Sequence, residues 1–499
     1  MINDQSGHPI KVLFVTGTMF FGEPMGVMQL SAILKKQSVV TKMIALRVHS
    51  LQKTLDEFTP DIIAYSAMSC ESKMFKSADI HVQQWIRDGK KRVLRVMGGA
   101  HSTYFPEILS EMSLDAVCVG EGDRAFPELI RRFAAGEGIK NIPNILTPGD
   151  DLGDMRKELI ENLDDLPFLD RDILYEAMPL YTSLGNRGFM VGRGCPYNCS
   201  YCHHHAWREL FKGCGKEVRR RSVSHVMEEI LSVVKNYPAV KLVKFADDTF
   251  AYKVDDWMLE FSKRYKEEVG LPFYCVMRSN TLTEDMAKLL SETGCISMCM
   301  AVESGIEKFR NEILKRGISD ELAIRSFGYA RKYGMTTWGN TMLGIPGSKF
   351  EDDFNSFLFV KRLGMTVPIF GLLCPYPRTQ LTDYAIKIGA LSPEDEMDAC
   401  FWGELSSFNC FTDKEKRMQL NLAYLGPLFC VLPDMFLPVL KILLKINATP
   451  VYKFVGMFYT LLFLALRVFR GIYPKNPIQL FRLFCHSMTV MVFPKGTTE

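Results

Sequence analysis

The stretch Gly192-Arg193-Gly194-Cys195-Pro196-Tyr197-Asn198-Cys199-Ser200-Tyr201-Cys202 follows directly on an apolar run, 189–193, that reads as a β-strand. Its cysteines are spaced four and three residues apart, so three thiolates fall on one tight loop. They are close enough to hold three corners of an iron–sulfur cube, whereas a cluster ligated wholly by protein takes four cysteines. Three leave one iron open, and an open position is what a metal centre needs to bind a substrate-like ligand. Zinc competes, because His203, His204 and His205 follow at once and mixed Cys/His sets suit zinc. The spacing is unusual for zinc. The histidines themselves read either as a solvated loop or as groups near a substrate or cofactor.

Working outward, β-branched runs alternate with amphipathic segments on both sides of this loop, the pattern of parallel sheets wrapped by helices. Downstream, strands are expected at 189–193, 241–246, 273–277, 296–302, 336–343 and 367–373, joined by helices at 223–237, 255–268, 283–293, 320–333 and 350–363. Six such units are too few for an eight-fold barrel and suit a partial, open (β/α)6 barrel spanning 185–381. Upstream, residues 1–140 carry strands at 11–16, 39–46, 61–66, 92–97 and 116–119, with helices at 25–36, 73–88, 105–112 and 125–134. Five strands of this kind fit a flavodoxin-like, Rossmann-type parallel sheet whose ligand lies beyond the strands' carboxyl ends. Those ends carry Gly17, Ser66, Gly98-Gly99 and Gly120-Glu121-Gly122. One glycine alone reads as a turn or close packing; their recurrence after successive strands reads as a ligand cleft. Residues 141–184 contain a Pro/Asp/Gly-rich stretch and read as a linker.

Composition excludes several classes. The 499 residues are 47% apolar and 23% charged with a formal charge of +3, an ordinary globular balance that names no nucleic-acid backbone as partner. The N-terminus lacks the regions of a signal peptide, so the 14 cysteines read as thiols of a reducing, cytoplasmic compartment. Residues 382–499 form a helical region rich in Leu and Phe, with helices at 424–446 and 451–469. Its longest uncharged run, Phe454 to Leu466, is 13 residues, short of the ~18 needed to span a bilayer. From Met435 on, eight Lys/Arg (Lys441, Lys445, Lys453, Arg467, Arg470, Lys475, Arg482, Lys495) face Glu499 alone. A cap on the barrel competes with peripheral contact to a membrane surface.

The Cys-x3-Cys-x2-Cys loop at the end of a barrel's first strand resembles the signature of the radical S-adenosylmethionine (SAM) superfamily. The resemblance implies a [4Fe–4S] cluster on Cys195, Cys199 and Cys202, with SAM chelated to the open iron and cleaved reductively to a 5′-deoxyadenosyl radical. It implies SAM contacts from Tyr201, Asp247, Asp248, Arg278, Glu303, Arg316, Gly344 and Pro346. Among these Arg316 would pair the SAM carboxylate, a bidentate task suited to guanidinium. It also implies an external electron donor such as flavodoxin or ferredoxin.

A flavodoxin-like domain ahead of such a barrel resembles the cobalamin-binding members of the superfamily, with Gly17, Ser66, Gly98, Gly99, Gly120, Glu121 and Gly122 lining the cofactor's cleft. The Asp-x-His-x-x-Gly element that supplies an axial histidine is missing: the position reads Gly17-Thr18-Met19-Phe20-Phe21-Gly22. The implied reaction is methylation of an unactivated carbon. A non-methylating radical reaction and a non-catalytic corrinoid or redox-sensing module are the alternatives. The sequence names neither a catalytic side chain nor the substrate, which could be a small molecule, lipid or peptide.

Overall fold

The computed structural model describes residues 2–3, 7–17, 22–89, 92–393 and 405–468. Thr18 to Phe21 of the first strand-end turn, and Arg470, Lys475, Arg482, Lys495 and Glu499 of the basic C-terminus, lie outside the described residues. The chain forms two compact units. Among the described residues the first runs to Leu184 and includes Phe211–Lys216; the second is Gly185–Leu210 together with those from 217 to 468.

In the first unit, strands β1 (Lys11–Thr16), β2 (Val40–Ala45), β3 (Ile62–Ser66), β4 (Leu94–Gly98), β5 (Ala116–Cys118) and β6 (Ile145–Leu146) form one sheet in the order β2-β1-β3-β4-β5-β6. The first five are parallel, the doubly wound order with its switch point between β1 and β3. Val12, Leu13, Phe14 and Val15 are all buried, as a parallel strand covered on both faces requires. Register puts Thr16 beside Ser66 and Ser66 beside Gly98, which aligns the ends of β1, β3 and β4 on one ledge.

The first unit departs from expectation in three places. The stretch read as a linker is built into it: β6 pairs antiparallel with β5, Ser31 Oγ donates to Asp170, and Gln29 Nε2 donates to the Pro167 carbonyl. Its composition lacks periodicity, yet Ile142, Leu159, Ile160, Leu163 and Leu174 anchor it in the core. A helix at Leu51–Phe58, capped by Ser50 Oγ on the Lys53 amide, was not expected. The helix expected at 105–112 is shortened to Ile108–Glu111, and a separate short helix, Ala100–Tyr104, precedes it on the other side of Pro106.

In the second unit, β7 (Asn186–Phe189), β10 (Leu242–Phe245), β11 (Phe273–Val276), β12 (Cys295–Cys299), β13 (Thr336–Leu343) and β14 (Val367–Leu372) form a six-stranded all-parallel sheet in sequential order. Between them β8 (Gly192–Arg193) and β9 (Arg219–Arg220) make a short antiparallel ribbon. The first barrel strand therefore ends four residues earlier than expected. The Asp247 carboxylate takes the amides of Val191 (3.0 Å) and Gly192 (2.8 Å), which stops the ladder and turns the chain toward the cysteines. Helix-facing side chains meet in a core where Phe245, Phe250, Phe261, Tyr265 and Phe273 pack largely edge to face.

The C-terminal region covers the exposed edge of this sheet at β14. Its first helix begins at Asp413, eleven residues before the expected start, because Thr412 and Glu415 form a reciprocal capping box. Gly426 of that helix lies against the Phe370 ring of β14, where an added Cβ would come to 2.8 Å. Pro433 ends the run, so the helix expected at 424–446 becomes Asp413–Val431 and Leu437–Leu443.

The last described helix corrects the length argument made from uncharged residues. It spans Thr449–Val468, 20 residues of mean hydropathy 1.5, long and apolar enough by length and composition to cross a bilayer. Lys453 and Arg467 interrupt the uncharged run but sit near the helix ends, where long side chains reach past an apolar layer. One face, with Tyr452, Gly456 and Thr460, is buried; an added Cβ at Gly456 would come to 2.2 Å from the Tyr424 carbonyl oxygen.

Candidate active site

The cysteine loop is held largely by bonds that do not involve sulfur. Ser200 donates through its amide to the Leu314 carbonyl (3.2 Å) and through its hydroxyl to Ile313 (2.5 Å), while its carbonyl accepts from the Leu381 amide (2.9 Å). Arg208 closes the loop from below, donating to the carbonyls of Cys195 (2.7 Å) and Tyr197 (3.0 Å). Gly194 has φ +92°, and a Cβ there would lie 2.2 Å from the Glu217 carbonyl oxygen, so only glycine fits.

Cys199 is buried, and Cys195 and Cys202 are half-buried. Burial pushes both half-buried thiols up, Cys202 to about 11. Among the described residues no three His, Cys, Asp or Glu side chains converge on a single ion. A cube does not need that, since each thiolate binds a different iron. The histidines diverge: His203 Nε2 lies 3.1 Å from the Pro377 carbonyl oxygen, and His204 Nε2 lies 3.0 Å from Asp248 Oδ2. They do not complete a zinc set with the cysteines.

Beside the loop lies a buried polar group of three. Tyr201 donates its hydroxyl proton to Glu303 (3.0 Å) and accepts from Arg316 Nη1 (2.8 Å); Arg316 Nη2 donates to the Ala301 carbonyl (2.7 Å). Glu303 follows β12 in a left-handed conformation, φ 67°, unusual for a glutamate. Its backbone is locked to β13, accepting from Met342 and donating to Asn340. Such strain at a strand's carboxyl end, fixed by neighbours, aims a side chain. Arg316 is turned inward by a hook whose flanking residues, Lys315 (φ 53°) and Gly317 (φ 62°), are also left-handed. Arg310, fully buried, ties this hook together by donating to the carbonyls of Ser304 (2.9 Å) and Ile318 (2.7 Å) and to Asp320.

Two buried atoms of this group have no protein partner among the described residues: Glu303 Oε2 and Arg316 Nε. An unpaired buried acceptor beside an unpaired buried donor is costly unless a ligand meets both. A zwitterion with ammonium and carboxylate groups matches that pair, and the amino-acid end of SAM is one. Burial raises the Glu303 carboxyl's pKa, against the pull of the Arg316 guanidinium.

The remaining expected SAM residues separate into distinct positions. Asp247, buried and pushed up to about 7 by that burial, spends its oxygens on backbone amides and holds the loop. Asp248 is partly exposed and pairs His204. Arg278 turns away from the Glu303 group: Nη1 donates to Cys199 Sγ (3.1 Å), Nη2 to the Arg316 carbonyl (2.7 Å) and Nε to Asn280 Oδ1 (3.1 Å). Gly344, φ +74°, and Pro346 form the turn after β13. The Gly344 amide donates to Asp353 (2.9 Å), and Gln419 Nε2 donates to the same carboxylate (2.8 Å). Asp353, Gln419, Arg310 and Tyr197 were not singled out from sequence; each is recognisable only once distant segments meet.

In the first unit, the aligned ends of β3 and β4 are the open part of the ledge. A Cβ added at Gly98 would meet nothing nearer than Cys118 Cβ at 3.8 Å, and Gly98 pairs in register with half-buried Ser66. Gly99, φ +95°, lets the chain turn tightly against Ala67. These residues fit a cofactor tail approaching backbone.

The other expected cleft residues do not. The Glu71 carboxylate fills the space at Gly17, 2.4 Å from where a Cβ would stand, and the Phe211 ring does the same at Gly120, at 2.1 Å. Glu121 Oε2 accepts from the Ile160 amide (2.8 Å). Gly122 backs onto Cys118 and Leu30. These four are therefore packed against protein, whereas Ser66, Gly98 and Gly99 stand at the open strand ends.

Comparison with known proteins agrees with both halves. Residues 189–358 match the radical SAM superfamily and residues 13–130 match the B12 binding domain. An uncharacterized methyltransferase of Pyrococcus horikoshii is 30% identical over 426 residues, 83% of this chain and 88% of the relative. The cytidylyl-2-hydroxyethylphosphonate methyltransferase of Streptomyces wedmorensis is 24% identical over 392 residues, covering 69% and 70%. The fold is shared with the radical SAM methyltransferase TsrM of Kitasatospora setae, solved with cobalamin and a [4Fe–4S] cluster: TM-score 0.61, 17% identity, covering 77% of this chain and 75% of that one. The chain belongs to the cobalamin-dependent radical SAM methyltransferase family. Its cofactors are SAM, a [4Fe–4S] cluster and cobalamin, and it is an enzyme.

Proposed function

We propose that this enzyme methylates an unactivated carbon of an apolar, lipid-like small molecule while bound peripherally to the cytoplasmic face of a membrane. The observation that carries the catalytic part is the unpaired donor and acceptor of Arg316 and Glu303, tied to the cysteine loop through Arg278. The cofactors supply the radical and the methyl group, and the protein supplies orientation and exclusion of water. Cys195, Cys199 and Cys202 hold the cluster. Arg316 binds the SAM carboxylate, Glu303 its ammonium, and Tyr201 keeps the two in register. The turn at Gly344 and Pro346, fixed by Asp353, takes the adenine side. Ser66, Gly98 and Gly99 receive cobalamin, and the functional division is 1–140, 141–184, 185–381 and 382–499.

The cobalamin assignment is tested at Gly98. Among the described residues a Cβ there comes no nearer than 3.8 Å to Cys118 Cβ, so Gly98→Ala should change stability by less than about 1 kcal/mol. Corrinoid retained after reconstitution and desalting should fall at least about tenfold. Wild-type corrinoid absorbance in the variant would remove Gly98 from the cofactor surface.

Support for the membrane part comes from the C-terminal helices. Met435, Val439, Ile442 and Ile446 recur at helical spacing along one exposed side, and Val451, Phe454, Phe458, Leu462 and Leu466 along another. Lys441, Lys445, Lys453 and Arg467 accompany them, a charge complementary to anionic headgroups. The protein should cosediment with phosphatidylserine-containing vesicles and do so less at high salt. Phe454→Asp with Phe458→Asp should weaken binding by about tenfold or more. Negligible binding at both salt concentrations would assign these helices to a barrel cap alone.

A further inference from the structure

We propose that Arg278 sets the reduction potential of the cluster, making the bound [4Fe–4S] centre easier to reduce by donating a hydrogen bond to the sulfur of Cys199. The inference rests on the assignment of Cys199 as a cluster ligand. Arg278 follows β11 and is buried, 5% exposed. Its guanidinium carbon lies over the Tyr197 ring, 3.7 Å from the centroid, and Asn280 links the two by donating to the Tyr197 hydroxyl (3.2 Å) while accepting from Arg278 Nε. With Nη2 on the Arg316 carbonyl, only one orientation remains for Nη1, and it points at Cys199 Sγ at 3.1 Å. Among the described residues none of these hydrogen-bond partners is a carboxylate.

The sign follows from charge. Reduction adds one electron from the external donor to the cluster and moves no proton, so the reduced centre carries one more negative charge. A fixed cation donating to a ligating sulfur stabilises the more negative state, and hydrogen bonds to cluster sulfurs are among the features that set these potentials. Burial strengthens the effect, because little water screens the charge. A residue that only braced the loop would leave the potential unchanged when replaced.

The test uses the full chain, anaerobically reconstituted with iron and sulfide and without SAM. In an EPR-monitored redox titration, Arg278→Met should lower the reduced-to-oxidised ratio at the wild-type midpoint by about tenfold, which is about 59 mV for a one-electron couple. Arg278→Lys, which keeps the charge but not the fork, should fall between the two. A full-iron Arg278→Met variant with the wild-type midpoint overturns the proposal. Should that variant fail to hold its cluster, pulsed EPR of the reduced wild type labelled with 15N in its arginine guanidinium groups decides. A 15N coupling that Arg278→Lys abolishes supports the bond to sulfur, and its absence from the wild type overturns it. A wild type with no cluster signal after reduction would instead overturn the cluster assignment.

Discussion

Replacing Cys195, Cys199 and Cys202 together with alanine should abolish the brown chromophore and all reductive cleavage of SAM while leaving the fold in place. Most of the bonds that hold the loop do not involve the sulfurs. Ser200 is fixed by three backbone-directed bonds, Arg208 holds two loop carbonyls, and Gly194 permits the close approach of Glu217. Cys195 and Cys202 are half-buried, and replacing each should cost on the order of 1 kcal/mol or less. Cys199 is buried and accepts from Arg278, so its replacement should cost about 1–3 kcal/mol by leaving that donor unmet. The melting temperature should fall by no more than about 10 °C, and iron content should fall to background. A folded triple variant that still cleaves SAM would place the reactive centre elsewhere.

The second large effect is expected at Arg316. Arg316→Met should weaken SAM binding by about a hundredfold or more, since truncating one partner of a buried, hydrogen-bonded charge pair costs about 2–5 kcal/mol. Part of that loss comes from what remains, because Glu303 and Tyr201 would face a site without its cation. Burial already raises the Glu303 carboxyl's pKa, and loss of Arg316 removes the charge that opposes that rise. Arg316→Lys restores the charge without the fork and should recover only part of the affinity. Equilibrium dialysis of SAM against reconstituted variants with matched iron content measures both. Unchanged affinity in both variants would assign Arg316 to structure alone.

The cysteine spacing and the alternation of apolar runs were legible because both are local. The strand at Lys11–Thr16 and the helix at Phe350–Leu363 fall where periodicity put them. What escaped depends on contacts between distant segments. Asp247 reads as a polar residue at a strand end in sequence; that its oxygens terminate the ladder at Val191 appears only when β10 lies beside β7. Gly17 and Gly120 carry the same local signal as Gly98, yet Glu71 and Phe211 fill the space beside them. Arg278 occupies an expected position but serves another partner, because the ring of Tyr197 and the amide of Asn280 turn its fork to Cys199. The segment at 141–184 misled for a related reason: its buried isoleucines and leucines follow no period, since they anchor an irregular path rather than one face of a helix or strand.

The central claim is that this protein cleaves SAM reductively at its three-cysteine cluster. It is tested most directly by mass spectrometric detection of 5′-deoxyadenosine after anaerobic incubation of the reconstituted, cobalamin-loaded protein with SAM and a low-potential reductant. The account predicts 5′-deoxyadenosine that requires the reductant and disappears in the triple cysteine variant. Absence of 5′-deoxyadenosine from wild-type protein with a full iron complement and bound SAM would contradict it.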